Sequence, residues 1–182
     1  MADRLTLDRY YTPPAVPRAC VPLLAIGPGS HVVEPSVGAG AWVHALREHV
    51  PGVRVSGVDL DPEAAGLALC DDARVGDWPE VAGAYDRCDW VVGNPPFSHA
   101  EAHVRASLRV ARVGVAMLLR LAFLESAERA PFWREHPAAE VRVFSERPSF
   151  TGGRTDSCAY GLFIWRAGVV ETRLRWLSWR AA

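Results

Sequence analysis

The chain has 182 residues, 49% of them apolar and 23% charged, with a formal net charge of −1. This is the composition of one ordinary globular domain with a sizeable core, which argues against a disordered chain. No apolar run reaches the roughly 18 to 20 residues of a membrane span, and Asp3 and Arg4 stand where a signal peptide has its apolar stretch, so the sequence reads as cytoplasmic.

Cys20, Cys70, Cys88 and Cys158 are widely spaced and form no C-x-x-C pair, so neither a disulfide framework nor a zinc knuckle is expected. Charge is unevenly distributed. Residues 1–100 hold 7 Arg against 13 acids, while residues 101–182 hold 13 Arg against 8, so the C-terminal half is the one suited to an anionic partner. All 20 basic residues are Arg, which suits planar bidentate phosphate contacts and equally reflects a coding bias.

Short apolar runs alternate with helical patterns from about residue 14 to residue 165, the pattern of an α/β domain around a mostly parallel sheet. The spacing predicts a strand over 31–34, a glycine loop, and a helix over 41–49 that stops before Pro51-Gly52. A second strand over 54–58 ends in Asp59, and Pro62 opens a predicted helix over 63–69. A short strand over 73–75 runs into Gly76-Asp77-Trp78, and a buried strand over 89–92 runs into Gly93-Asn94-Pro95-Pro96-Phe97. A helix over 99–111, an apolar strand over 113–121 and a closing hairpin from 141–144 and 160–165 complete the series.

In open parallel sheets ligands bind beyond the carboxyl ends of the strands, so residues there are weighed first. Gly38-x-Gly40 permits close backbone approach to a ligand, but Val43 breaks the longer G-x-G-x-x-G pattern and a lone G-x-G says little. Asp59, about twenty residues on, is placed to accept from ribose hydroxyls or simply to cap a helix. Asp77-Trp78 offers a carboxylate for an adenine amino group and an indole for its ring, or a turn Asp beside a core Trp. Asn94-Pro95-Pro96-Phe97 is the specific signal: two prolines remove two backbone donors and stiffen the loop, leaving carbonyls free to accept beside an aromatic ring.

Taken together, Tyr10-Tyr11-Thr12-Pro13, Glu34-Pro35-Ser36-x-Gly38-x-Gly40, Gly57-Val58-Asp59-Leu60-Asp61-Pro62, Gly76-Asp77-Trp78 and Asn94-Pro95-Pro96-Phe97 resemble the amino-methyltransferases of DNA, in the small phage-like form without a target-recognition domain. The resemblance covers about residues 10 to 165 and implies a Rossmann-like class I methyltransferase fold, with a seven-stranded, mostly parallel sheet and helices on both faces. It implies one domain over 1–182, with a cofactor-entrance segment (1–30), a cofactor and catalytic core (31–120) and a substrate-side loop, hairpin and tail (121–182).

By the same resemblance the cofactor is S-adenosylmethionine. Tyr11, Thr12, Pro13, Glu34, Pro35, Ser36, Gly38 and Gly40 would surround its methionine part, with Asp59 and Leu60 at the ribose and Asp77 and Trp78 at the adenine. Asn94, Pro95, Pro96 and Phe97 would be catalytic. A conjugated amine is a poor nucleophile because its lone pair is delocalised; if the Asn94 side-chain oxygen and Pro95 carbonyl accept its hydrogens, the pair can face the methyl carbon. This assigns catalysis to positioning and electrostatics, not to a side-chain base. Phe97 would stack on the target base, flipped out where the substrate is a duplex.

The polar loop 145–156 also resembles the substrate loop of small phage-type adenine methyltransferases, which places Arg147, Phe150 and Asp156 near the target base. Arg105, Arg109 and Arg112 form a stripe that reads first as a solvated face, and His99 and His103 at i, i+4 lack a third metal ligand, so no metal site is expected. The tail 172–180 alternates Arg with Leu and Trp and suits nucleic acid, a partner subunit or an extra edge strand.

The expected activity is methyl transfer to the exocyclic amino group of adenine, DNA favoured over RNA, either with relaxed specificity or with specificity taken from another subunit; the expected partners are nucleic acid and a specificity subunit or a second copy in a homodimer. The alternatives are a guanine amino group in ribosomal RNA, a glutamine amide in a protein, and a non-catalytic adaptor that retains the fold.

Overall fold

The structure is a computed structural model that describes residues 11–150, 157–169 and 171–180. Strands β1 (His31–Glu34), β2 (Arg54–Asp59), β3 (Asp72–Val75), β4 (Cys88–Gly93), β5 (Ala111–Arg120), β6 (Glu140–Phe144), β7 (Tyr160–Arg166) and β8 (Arg173–Leu177) form a single sheet in the order β3-β2-β1-β4-β5-β7-β6-β8. The first five run parallel, and β7 lies antiparallel to both β5 and β6.

Two-residue alternation sends each strand's side chains to opposite layers. Val32, Trp90, Val92, Leu118 and Leu162 pack with helices α1 (Ala15–Cys20) and α2 (Ala41–His49). Val33, Val91, Met117, Leu119 and Phe163 pack with α3 (Trp78–Val81), α4 (Ala100–Val110) and α5 (Ala130–Glu135). Because both faces are covered, the central strands read as continuous apolar runs, which is why β5 was legible from sequence.

Two expectations are corrected. Residues 63–69 form no α-helix; Ala65–Leu69 is a 3₁₀ turn, drawn tight because Gly66 lies backbone-to-backbone against the glycine loop, its N–H donating to the Gly38 carbonyl at 2.9 Å. The sheet has eight strands rather than seven, because the tail adds β8 parallel to β6. Arg175 of that strand pairs with Glu140 at 3.1 Å, and Trp179 beyond it donates to the Glu146 carbonyl at 2.7 Å, which fixes the tail to the sheet edge.

Strand order reverses between β1 and β4, where the connections depart in opposite directions and leave a crevice at the carboxyl ends. Glu34, Asp59, Gly76-Asp77 and Asn94 are carried to this edge by β1, β2, β3 and β4 respectively. No helix among the described residues is long and apolar enough to cross a membrane.

Candidate active site

The crevice is an open cleft with a cavity volume of about 230 Å³, lined by Tyr11, Pro35, Ser36, Gly38, Asp59, Leu60, Asp77, Trp78, Asn94, Pro95, Pro96 and Phe97 among others. A small recess shares Tyr11, Ser36, Gly38 and Asn94 with it and adds Thr12 and Glu34. Most of the residues singled out from sequence therefore meet around one space. Pro13 and Gly40 do not line it. Pro13 accepts from the Val16 N–H at the start of α1, and Gly40 opens α2.

Backbone geometry shapes the wall. Gly40 has φ +81°, a left-handed conformation that disfavours any side chain, and a Cβ there would lie 2.5 Å from Leu69 Cδ1. A Cβ on Gly66 would lie 2.2 Å from Val37 Cγ1 and 2.7 Å from the Gly40 nitrogen, so these two glycines permit loop and turn to touch. Asp59 locks the same loop from the side: its Oδ2 accepts from the Gly38 N–H at 2.8 Å and its Oδ1 from the Asp61 N–H at 2.9 Å. Each carboxylate oxygen retains a second lone pair for a ligand.

Glu34 is 1% exposed at the end of β1. Burial raises its pKa well above the ordinary value, the nearby Asp59 charge adds to the rise, and the Val43 N–H works against it. Its Oε2 has no hydrogen-bond partner among the described residues, although the side chain lines the recess. A buried carboxylate oxygen without a donor is the complement of a cationic ligand group.

Beside Asp77, Trp78 borders the cleft but is 1% exposed. Its indole N–H is spent on α4, reaching Ser107 Oγ at 3.0 Å and the His103 carbonyl at 3.3 Å. It is a wall, and the apolar surface offered to a ring here is Leu60, 59% exposed.

The catalytic-loop candidate follows β4. Asn94 Nδ2 donates to Thr12 Oγ1 at 3.1 Å, tying the loop to the entrance segment. Phe97 opens the 3₁₀ turn Phe97–His99 and meets Tyr160 at 5.5 Å and Phe150 at 6.2 Å between ring centroids; Phe150 and Tyr160 are 4.9 Å apart. The Arg120 guanidinium sits 4.5 Å over the Phe97 ring. Phe150 thus packs against the loop. Arg147 is exposed and bridges its loop through the Ser157 carbonyl at 3.2 Å, apart from the cleft, and Asp156 lies outside the described residues.

Sequence reasoning missed Gly66, His103, Arg120 and Tyr160 as parts of this region. Arg120 had a signal, a lone charge ending an apolar strand; Gly66 had none without the fold. Of the arginine stripe, Arg105 pairs with Glu101 at 2.9 Å and Arg112 with Asp89 at 2.5 Å, as suits a solvated face.

No family model matches the chain. A type II methyltransferase of Thermus thermophilus is 36% identical over 100 residues, 53% of this chain and 22% of that protein. The release factor glutamine methyltransferase of Bordetella pertussis is 32% identical over 142 residues, 65% of this chain and 48% of that protein. The chain thus spans less than half the length of these two relatives. Among solved structures, a candidate RNA methyltransferase of Pyrococcus horikoshii superposes with a TM-score of 0.71 at 14% identity, covering 90% of this chain and 89% of that one. The M protein of the type I restriction enzyme EcoKI gives 0.70 at 13% identity, covering 90% and 45%. An S-adenosylmethionine-dependent O-methyltransferase of Thermotoga maritima gives 0.61 at 12% identity, covering 92% and 71%. The fold is that of the class I methyltransferases. Within that fold, the eighth strand is an addition at the sheet edge farthest from β3.

Proposed function

We propose that this chain is an S-adenosylmethionine-dependent methyltransferase acting on the exocyclic amino group of adenine in nucleic acid, with DNA the favoured substrate. The observation that carries the proposal is the Asn94-Pro95-Pro96-Phe97 loop, set at the strand-order reversal and opening onto the same cleft as Glu34, Asp59 and Asp77.

The residues present fit the cofactor. The Glu34 oxygen without a donor suits an α-ammonium, the remaining lone pairs of Asp59 suit ribose hydroxyls, and Asp77 beside Leu60 suits an adenine amino group and ring face. When bound, the cofactor supplies an electrophilic methyl carbon on a sulfonium. Thr12 holds the Asn94 amide so that its oxygen end can accept one amine hydrogen, while the Pro95 carbonyl accepts the other. Drawing both hydrogens to these oxygens localises the nitrogen lone pair and stabilises the positive charge that grows on nitrogen as the N–C bond forms. The methylated nitrogen then carries one surplus proton, which leaves to water.

A planar nucleobase is favoured by Phe97, which lines the cleft, carries the Arg120 guanidinium 4.5 Å over its ring and packs on Phe150 and Tyr160. Stacking rings with an adjacent cation suit a base on a phosphate backbone. The second reading is methylation of a protein glutamine amide, supported by the 32% identity to a glutamine methyltransferase and by the same two acceptors fitting any NH₂ on a planar carbon. An RNA base amino group fits the chemistry equally.

Transfer of labelled methyl from S-adenosylmethionine to DNA, RNA and protein pools tests the proposal. Label recovered as N6-methyladenine is the expected result. Label in glutamine or cytosine alone rejects the adenine assignment, and no transfer to any pool rejects the activity.

A further inference from the structure

His103, on α4, is 3% exposed and yet lines the cleft. Its Nδ1 lies 3.1 Å from the His99 carbonyl one turn earlier. A carbonyl only accepts, so Nδ1 carries the hydrogen and the tautomer is set. Burial holds the ring below the ordinary histidine pKa, opposed by the bond to His99 and by the charge of Asp77. The imidazole is therefore neutral near pH 7, and Nε2, at the ring edge away from the anchored Nδ1, is a lone-pair acceptor.

The surroundings hold this ring in place. Ser107 Oγ donates to the His103 carbonyl at 2.7 Å, and the Trp78 indole N–H donates to Ser107 Oγ at 3.0 Å. Trp78 directly follows Asp77, so one buried network couples the turn bearing the carboxylate to the helix bearing the imidazole. Both residues line the cleft, and the Asp77 charge acts on the His103 ring.

An adenine amino group carries two in-plane N–H donors, and one carboxylate does not fully satisfy them. A 6-oxo purine carries an acceptor at that position and would face two acceptors. We propose that His103 Nε2 and the Asp77 carboxylate together take the two hydrogens of the cofactor's adenine amino group, making His103 a specificity-determining residue for a 6-amino over a 6-oxo purine. The inference rests on the S-adenosylmethionine reading above. A buried acceptor left facing another acceptor costs more than the bond it replaces is worth, which is the source of the selectivity.

The test is calorimetric binding of S-adenosylhomocysteine and its deaminated counterpart S-inosylhomocysteine to the wild-type chain and to His103→Phe, which keeps a ring but removes the acceptor. The wild type should prefer the adenine compound by well over about tenfold. The variant should lose about tenfold in affinity for it and little for the inosine compound. An unchanged preference overturns the proposal. Because a buried substitution can prevent folding, the nitrogen-15 resonance of His103 Nε2 in the wild type gives a second readout. It should move away from the bare-acceptor position when S-adenosylhomocysteine binds, and an unmoved resonance in the saturated complex overturns the proposal as well. If the wild type binds neither compound, the cofactor reading fails together with this inference; if it binds and His103 is indifferent, only this inference fails.

Discussion

The two halves of the sheet edge are built by different means. On the side of β1, β2 and β3, the cleft is shaped by backbone: Gly40 against Gly66, the Gly38 and Asp61 amides on Asp59, and a buried Glu34. Beyond β4 it is shaped by side chains, with Phe97 under Arg120 and packed on Phe150 and Tyr160. Charge divides the same way, acidic in the first hundred residues and basic beyond. A backbone-built site suits one fixed ligand, whereas half-buried side chains such as Phe97 and Phe150 can be altered without dismantling the fold. On the proposed function, cofactor choice and target choice would be separable in this chain, with Asn94 at the boundary.

The largest expected effect lies on that boundary. Asn94→Ala should lower kcat by about 10²–10³, the scale of losing one well-placed transition-state contact, with S-adenosylhomocysteine affinity changed by less than about twofold. Equal loss of both, measured by single-turnover kinetics and calorimetry, would move Asn94 to the cofactor side and erase the boundary. Gly66→Ala should come next, because its Cβ would press on the Gly40 backbone at 2.7 Å. A loss of about 2 kcal/mol in stability is expected, which lowers the thermal midpoint by about 4–8 °C at this chain length. A silent substitution would contradict the backbone-built side.

Glu34 sharpens the comparison through pH. Its folded-state pKa is raised above the ordinary 4.5, so the folded chain holds a proton that the unfolded chain releases. The stability this group contributes is fully present below pH 4.5 and is lost as pH rises through the folded pKa. Glu34→Gln should therefore flatten that fall in the thermal midpoint, raise the midpoint of the ligand-free chain near pH 7, and weaken S-adenosylhomocysteine by about tenfold. Wild-type binding should also release a proton, seen as a dependence of the binding heat on buffer ionisation. The smallest effect is expected on the other side: Phe150→Ala should raise KM for a nucleic-acid substrate about threefold to tenfold, the scale of a lost stacking contact, with cofactor affinity untouched.

What the sequence displayed follows the same division. Glu34, Asp59 and Asn94 stood out because each is a distinctive residue at the end of an apolar strand, and Asp77 because it follows a short strand with Gly76 and Trp78 beside it. Residues 63–69 misled because Pro62 stands where a helix start tolerates proline, while the 3₁₀ turn follows from Gly66 meeting the distant loop at Gly38 and Gly40. The tail's pattern admitted an edge strand without requiring one; only its pairing with β6 decides it, leaving Trp176 68% exposed. His103 read as half of a pair at i, i+4, yet its partner is the His99 backbone carbonyl, a contact no side-chain pattern announces. Arg147 was drawn to the target base by its loop, but the fold turns its guanidinium to Ser157.

The central claim is that one loop and one cleft bring an acceptor amine to a sulfonium methyl. A crystal structure of the chain with S-adenosylhomocysteine tests it most directly. The account predicts the amino-acid end of the ligand at Glu34, its ribose on Asp59, and its sulfur facing Asn94 and Pro95 with room for one methyl group between. Ligand bound outside this cleft, or with its sulfur turned away from residues 94–97, would contradict it.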